Sequence, residues 1–171
     1  METWDAITAR RNVREFSDRP LPSGSLDRIL EAGRRSPSSR NWQPWDFVAV
    51  TGRDRLRQLA EVWRGAGHVA HSAATIALVA PVALDEHQRD QCQYDLGQAT
   101  MSIMIAAADL EIGSAHAAVQ DQQLARQLLG FPEDRFCAYL IALGYPAGRP
   151  LSPLRRPDRR AFEDVVHRER W

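Results

Sequence analysis

Apolar positions along the chain fall into alternating helical and extended registers. Trp4, Ala6 and Ile7 form a weak helical stripe, and the spacing predicts a helix from Trp4 to Arg11. After Pro22 the stripe Leu26, Ile29, Leu30 and Gly33 predicts a second helix, with Ser23 or Ser25 as its cap. Ser36-Pro37-Ser38-Ser39 ends it, because a residue preceding proline avoids helical geometry. Trp45 to Val50 alternates and reads as a strand closed by Thr51-Gly52, and Leu56, Leu59, Ala60 and Trp63 mark another helix.

Ala74 to Ala80 is continuously apolar, the pattern of a strand covered on both faces. The longest helix is predicted from about Gln91 to Leu110, with Gly97, Met101, Met104 and Ala108 along one stripe. A helix-interior glycine costs about 1 kcal/mol relative to alanine, so Gly97 is expected where another backbone approaches, in the core or at a subunit interface. Asp121 caps a helix running to Leu129, Gly130 stops it, and Pro132 follows. Phe136 to Leu143 is a further strand, ended by Gly144-Tyr145-Pro146. The tail from Ala147 to Trp171 is rich in Pro and Arg, strand-like only near Val165-Val166. It is expected to wrap its own domain or a partner subunit.

Composition narrows this picture. A chain of 171 residues with 44% hydrophobic and 26% charged residues forms one ordinary domain, 1–171, with no repeat or linker to divide it. The formal net charge is zero, which argues against a general nucleic-acid binder. The longest apolar run, Ala73 to Leu84, is too short to cross a bilayer, and the first residues lack signal-peptide order. Cys92 and Cys137 have no metal-ligand spacing and read as buried thiols of a reducing cytoplasm. All 22 basic residues are Arg. Schiff-base chemistry, a lysine general base and a Walker A loop are thereby excluded, and anions must be recognised by guanidinium groups.

Those arginines cluster. Residues 149–160 hold Arg149, Arg155, Arg156, Arg159 and Arg160 against Asp158 alone, and Arg10, Arg11 and Arg14 surround Asn12 near the start. Each cluster is either a solvated basic face or half of a joint phosphate site. The segment Ser36 to Trp45 adds hydroxyls, the amides of Asn41 and Gln43, and the indole of Trp42. That inventory suits a flat heteroaromatic ring with polar edges, although Trp42 equally suits packing beside Trp45. No GxSxG, HExxH or GxGxxG motif occurs, and no metal site is expected at His68 and His71. With no acid–base pair to single out, a bound cofactor is expected to do the chemistry.

Arg10-Arg11-Asn12-Val13-Arg14-Glu15-Phe16, then Pro37-Ser38-Ser39 through Asn41, Gln43, Pro44 and Trp45, resembles the flavin-dependent nitroreductase family. Asp95-Leu96-Gly97-Gln98-Ala99, Ile112-Gly113-Ser114, Gly144-Tyr145-Pro146 and Val165-Val166-His167 follow in that family's order, so the resemblance spans essentially the whole chain.

The resemblance implies an α+β, three-layer sandwich: a mixed, mainly antiparallel sheet with helices on both faces, in an intertwined homodimer. It implies FMN at the subunit interface, NADH or NADPH as electron donor, and a nitroaromatic or quinone as acceptor. Arg10, Arg11, Asn12 and Arg14 would hold the phosphate, ribityl chain and ring edge. Pro37, Ser38, Ser39, Asn41 and Gln43 would approach the ring from the other subunit, with Trp42 as a pocket wall. Arg156, Arg159 and Arg160 would complete the phosphate site, and Ala118 or Val119 would present a backbone N–H to the flavin N5. The chain departs from the family at Asn12, where serine is usual, and at His116 to Gln120, which lacks the usual glycine. Two further readings are a flavin-storing protein without turnover and a relative with other flavin chemistry, such as dehalogenation or flavin destruction.

Overall fold

Strand residues alternate between two faces, shifted once by a β-bulge at Ala138, and that division sets the layers. The computed structural model describes all 171 residues. Its sheet contains β1 (Asp46–Val50), β2 (Ala74–Pro81), β3 (Gly113–Ala118) and β4 (Arg135–Gly144) in the order β1-β2-β4-β3. All three ladders are antiparallel, and the one parallel contact is a bridge between Asn12 and Ser114. Ile76, Leu78, Ala80, Ile141 and Leu143 point to one face, and Ala77, Val79, Cys137, Leu140 and Ala142 to the other. Burying each large apolar residue contributes roughly 1.5–3 kcal/mol, so both faces need a cover.

The first face is covered by α2 (Ser25–Arg34) and α4 (Glu86–Asp109), which contribute Ile29, Cys92, Leu96, Ala99, Ile103, Met104 and Ala107. The second is covered by α3 (Arg53–Leu59), a 3-10 turn at Ala60–Val62 and α5 (Gln122–Leu129), through Leu56, Leu59, Val62 and Ala125. The result is the expected three-layer sandwich. A short α1 (Thr3–Ala9) packs on the end of α4, where Ala9, Val13, Ala108 and Leu151 form a small separate core.

Asp121 caps α5 by accepting the Leu124 N–H at 2.8 Å, and Gly130 ends it with φ of 76°, as its sequence requires. Other expectations are corrected. Neither Ser23 nor Ser25 caps α2; Gly24, at φ of 78°, occupies that position without a side-chain bond. Gly97 lies on an exposed face of α4 with nothing within 4 Å of the place a Cβ would take, so no backbone approaches it within the chain. The helix itself starts earlier, at Glu86, because Asp85 caps it through the Gln88 N–H. Val165-Val166 is not a strand here; the tail holds only a 3-10 turn at Phe162–Asp164, and every residue from Arg155 onward is exposed.

Strand β3 has no counterpart in the sequence pattern. Its sequence, Gly113-Ser114-Ala115-His116-Ala117-Ala118, contains no β-branched or large apolar residue. It is a strand because β4 pairs with its full length and the N-terminal segment lies on its start, with Val13 N–H donating to Ser114 C=O at 2.9 Å. Paired Gly113 and Gly144 make room for that segment: a Cβ at Gly113 would sit 2.8 Å from the Val13 side chain, and one at Gly144 2.8 Å from the Phe16 ring.

Candidate functional site

Beyond Ala9 the chain runs extended as Arg10-Arg11-Asn12-Val13-Arg14, and the following residues pair with the segment leaving β4. Ser17 N–H donates to Tyr145 C=O at 2.8 Å, Phe16 bridges Pro146, and Ala147 N–H donates to Glu15 C=O at 3.0 Å. This pairing carries the tail back along the basic segment. Arg11, Asn12, Arg14, Glu15 and Arg149 then line one cleft of about 240 Å³.

None of Arg10, Arg11, Arg14 and Arg149 joins an ion pair, although arginines elsewhere do so with Glu31, Asp46, Asp54 and Asp109. The Arg10 Nε is fully buried and has no hydrogen-bond partner. A buried donor left without an acceptor costs about 1–3 kcal/mol, which an arriving anion or polar ring edge would recover. Arg14 faces His68, a histidine only 8% exposed on the 3-10 turn Gly67–His71. Burial first, then the Arg14 charge, holds the His68 imidazole below its usual 6.5. Its Nε2 is also buried and without a partner.

The end of β3 contributes backbone groups. Ala118 pairs with Tyr139, and Val119 follows at the strand exit, half-buried. Val62 C=O holds the next two N–H groups, those of Gln120 and Asp121, while Gln122 Nε2 donates to Val119 C=O at 3.2 Å. The Val119 N–H itself makes no hydrogen bond to any other backbone group. Gln122 also bonds both N–H and C=O of Cys137, continuing the ladder where the β3 backbone turns away.

A second group forms around Ser38, Ser39, Asn41 and Gln43. The carboxylate of Asp95, fully buried on α4, accepts the Ser39 N–H at 3.0 Å with each oxygen and its hydroxyl at 3.2 Å. Ser36 Oγ donates to Ser102 Oγ on the same helix at 2.8 Å. Gln43 N–H donates to Ser38 Oγ at 2.9 Å, closing the loop on itself. Arg40, Asn41 and Gln43 all adopt left-handed φ values between 52° and 58°, a strain of about 1–2 kcal/mol for each ordinary residue. Asn41 and Gln43 are exposed, as is Pro37, while Trp42 packs half-buried on the core.

The two groups are not brought together within a single subunit. Ser39 is held at Asp95 and Val13 packs at Ala108, about 20 Å apart along α4 at 1.5 Å per residue. Arg156, Arg159 and Arg160 are exposed and do not line the cleft; Arg159 donates to Asp158 C=O and Arg160 to Asp164 C=O. Three residues that sequence reasoning did not select belong to these groups. Asp95 had a signal, an acid on the apolar stripe of Cys92, Leu96 and Ala99. Arg149 stood in the basic tail, but only long-range pairing separates it from its neighbours. His68 had no signal beyond its residue type. No group of three or more His, Cys, Asp or Glu could hold a metal ion.

A three-layer α+β sandwich with a basic segment laid on the start of an edge strand is the nitroreductase fold. Among solved structures, an FMN-dependent nitroreductase from Clostridium difficile superposes with a TM-score of 0.83 at 21% identity, covering 97% of this chain and 98% of that one. An NADPH:FMN oxidoreductase from Vibrio harveyi, solved with NAD+, gives 0.80 at 22% identity over 97% of this chain and 76% of its own. A family profile described as "Nitroreductase family" matches residues 7–88. A protein from Archaeoglobus fulgidus, provisionally named NADH dehydrogenase/NAD(P)H nitroreductase, is 32% identical over 99% of both sequences. The chain belongs to the nitroreductase family.

Proposed function

We propose that the protein is an FMN-dependent oxidoreductase that transfers hydride from NADH or NADPH to a small acceptor such as a nitroaromatic or a quinone. The carrying observation is the set of guanidinium groups of Arg10, Arg11 and Arg14 that join no ion pair, with the buried Arg10 Nε lacking an acceptor, laid on the start of the strand that ends at the free N–H of Val119. A phosphate on a ribityl chain matches the first, and an electron-rich ring nitrogen matches the second. FMN, named for the C. difficile and V. harveyi proteins, has both.

When bound, FMN supplies the hydride acceptance from NAD(P)H and its return to an oxidised acceptor. The protein's own residues bind and orient. Arg10, Arg11, Asn12 and Arg14 neutralise the phosphate and hold the ribityl chain and ring edge, and Arg156, Arg159 or Arg160 join them from the tail. Val119, whose N–H is free, or Ala118 would present a backbone N–H to the ring's central edge, where a hydrogen bond strengthens as negative charge accumulates. Because that donor belongs to the backbone, it survives the absence of a glycine there. No side chain acts as general acid or base, and donor and acceptor use one pocket in turn, which gives ping-pong kinetics.

Pro37, Ser38, Ser39, Asn41, Gln43 and Trp42 serve the site of a second copy, because their own subunit holds them about 20 Å from its basic segment. The homodimer is also supported by β1, which has a sheet neighbour on one side only, and by the tail 147–171. That tail exposes Phe162 at 62% and Trp171 at 99%, surface that an arm laid on a partner would cover. A cytoplasmic location fits the free, buried Cys92 and Cys137, and no helix is long and apolar enough to cross a membrane.

The test is a visible spectrum of the purified protein, followed by anaerobic NADPH and NADH. A bound yellow flavin bleached by either donor is expected. A colourless protein that refuses added FMN would overturn the reading.

A further inference from the structure

We propose that His68 is a positioning residue for Arg14: its buried, neutral imidazole stands behind the guanidinium as an acceptor and holds it toward the flavin, so that the grip loosens when the imidazole takes up a proton. The inference rests on the flavoenzyme reading above and adds to it a residue and a pH response.

The fold brings the two residues together. Ala66 and Val69, which flank His68, are buried in the core that also holds Ala117 of β3, and Phe16 packs against that same core. The N-terminal segment is fixed to β3 by the Val13 N–H on Ser114 C=O, one residue before Arg14. Between Val13 and Phe16 the chain therefore passes the turn Gly67–His71, and the Arg14 charge reaches the imidazole there.

Burial then decides which of the two meets a ligand. Arg14 is exposed, whereas the His68 Nε2 is fully buried and without a partner, so a ligand reaches the guanidinium and not the imidazole. A buried acceptor left without a donor is costly, and a guanidinium has five N–H groups, enough to give one to Nε2 and others to a ligand. Only the neutral ring accepts; protonation puts an N–H at both ring nitrogens and a like charge against Arg14. The elements packed on this turn, α3 and Ala60–Val62, carry Arg53, Asp54, Arg55, Arg57 and Glu61, all exposed, as is His71 of the turn itself. Arg14 and, more weakly, His116 of β3 are the charges that act on His68, and with burial they keep it neutral at pH 7. The nearby backbone of Ala115 and Gly65 favours the charged form and is outweighed.

The test is the FMN dissociation constant between pH 8 and pH 5, measured by fluorescence titration on wild type and on His68→Gln, whose amide oxygen accepts but takes no proton. His71, His116 and the flavin phosphate, with its second ionisation at about 6, titrate in both proteins and cancel in the comparison. Wild-type affinity is expected to fall about tenfold more than the variant's across this range. Equal pH dependence overturns the proposal, and so does wild-type binding that tightens toward pH 5 relative to the variant, the behaviour of an imidazolium that binds the anion directly. A readout without flavin is a nitrogen NMR titration of the His68 imidazole in wild type and in Arg14→Gln, a change at an exposed residue that also serves if His68→Gln fails to fold. Removing the guanidinium is expected to raise the imidazole pKa, and an unchanged titration overturns the pairing. If wild type binds no FMN at pH 8, the flavoenzyme reading fails instead, and the NMR titration alone decides whether His68 and Arg14 are paired.

Discussion

Single residues carry the positioning here, and Asp95 carries the most. Its buried carboxylate has only neutral partners, the N–H and hydroxyl of Ser39 and, more distantly at 3.4 Å, the Gln98 amide. Asp95→Asn exchanges charge-assisted bonds for neutral ones and turns an amide N–H toward a donor. The expected cost is about 1.5–3 kcal/mol, read by urea unfolding, with weakened FMN binding from the loosened loop. His68 gives a pH dependence. Its folded-state pKa lies below the ordinary 6.5, so the unfolded protein binds the extra proton first. Its contribution is complete above pH 6.5 and is lost as pH falls through the folded value. Stability measured between pH 7 and pH 5 is expected to fall for wild type and to fall less for His68→Gln. An equal slope in both proteins would assign the loss to other groups.

At the scale of elements, the helices with a clear apolar stripe were readable, and so were β2 and β4, whose runs of Val, Ile, Leu and Ala need no partner to be recognised. β3 was not, because what makes Gly113 to Ala118 a strand is its neighbours rather than its own side chains. The same holds for the loop around Arg40, Asn41 and Gln43, whose left-handed backbone is imposed by Asp95 and Ser38. The two half-sites were legible as residue types, in the Arg cluster and the Ser-Asn-Gln segment. Which tail arginine meets Arg11 depends on a register that no local pattern encodes. Gly113 tests how the site depends on this packing. Gly113→Ala would drive Val13 off the sheet, at an expected cost of about 1–3 kcal/mol. Because Val13 lies between Asn12 and Arg14, FMN affinity is expected to drop with it, measured by fluorescence titration. Alanine at exposed Gly52, outside the cleft and where a Cβ meets nothing, is the control and should leave both unchanged.

For the whole molecule, the separation of the basic segment from the Ser39 loop is what the proposed dimer explains, each subunit then being half of two sites. The expected outcome is a dimer in sedimentation, and a truncation after Leu154 that sediments as a monomer and binds FMN weakly. A monomeric full-length protein with stoichiometric flavin would sink the shared-site arrangement. The roughly 20 Å gap along α4 has a thermodynamic corollary. Ligand and subunit then bind to each other's advantage, since whatever free energy the flavin gains from the second subunit is returned, equal in size, to the association of the two. Dilution therefore acts on the prosthetic group as a competitor would, and added flavin acts on the subunits as glue. Colour and molecular weight would fade along one curve.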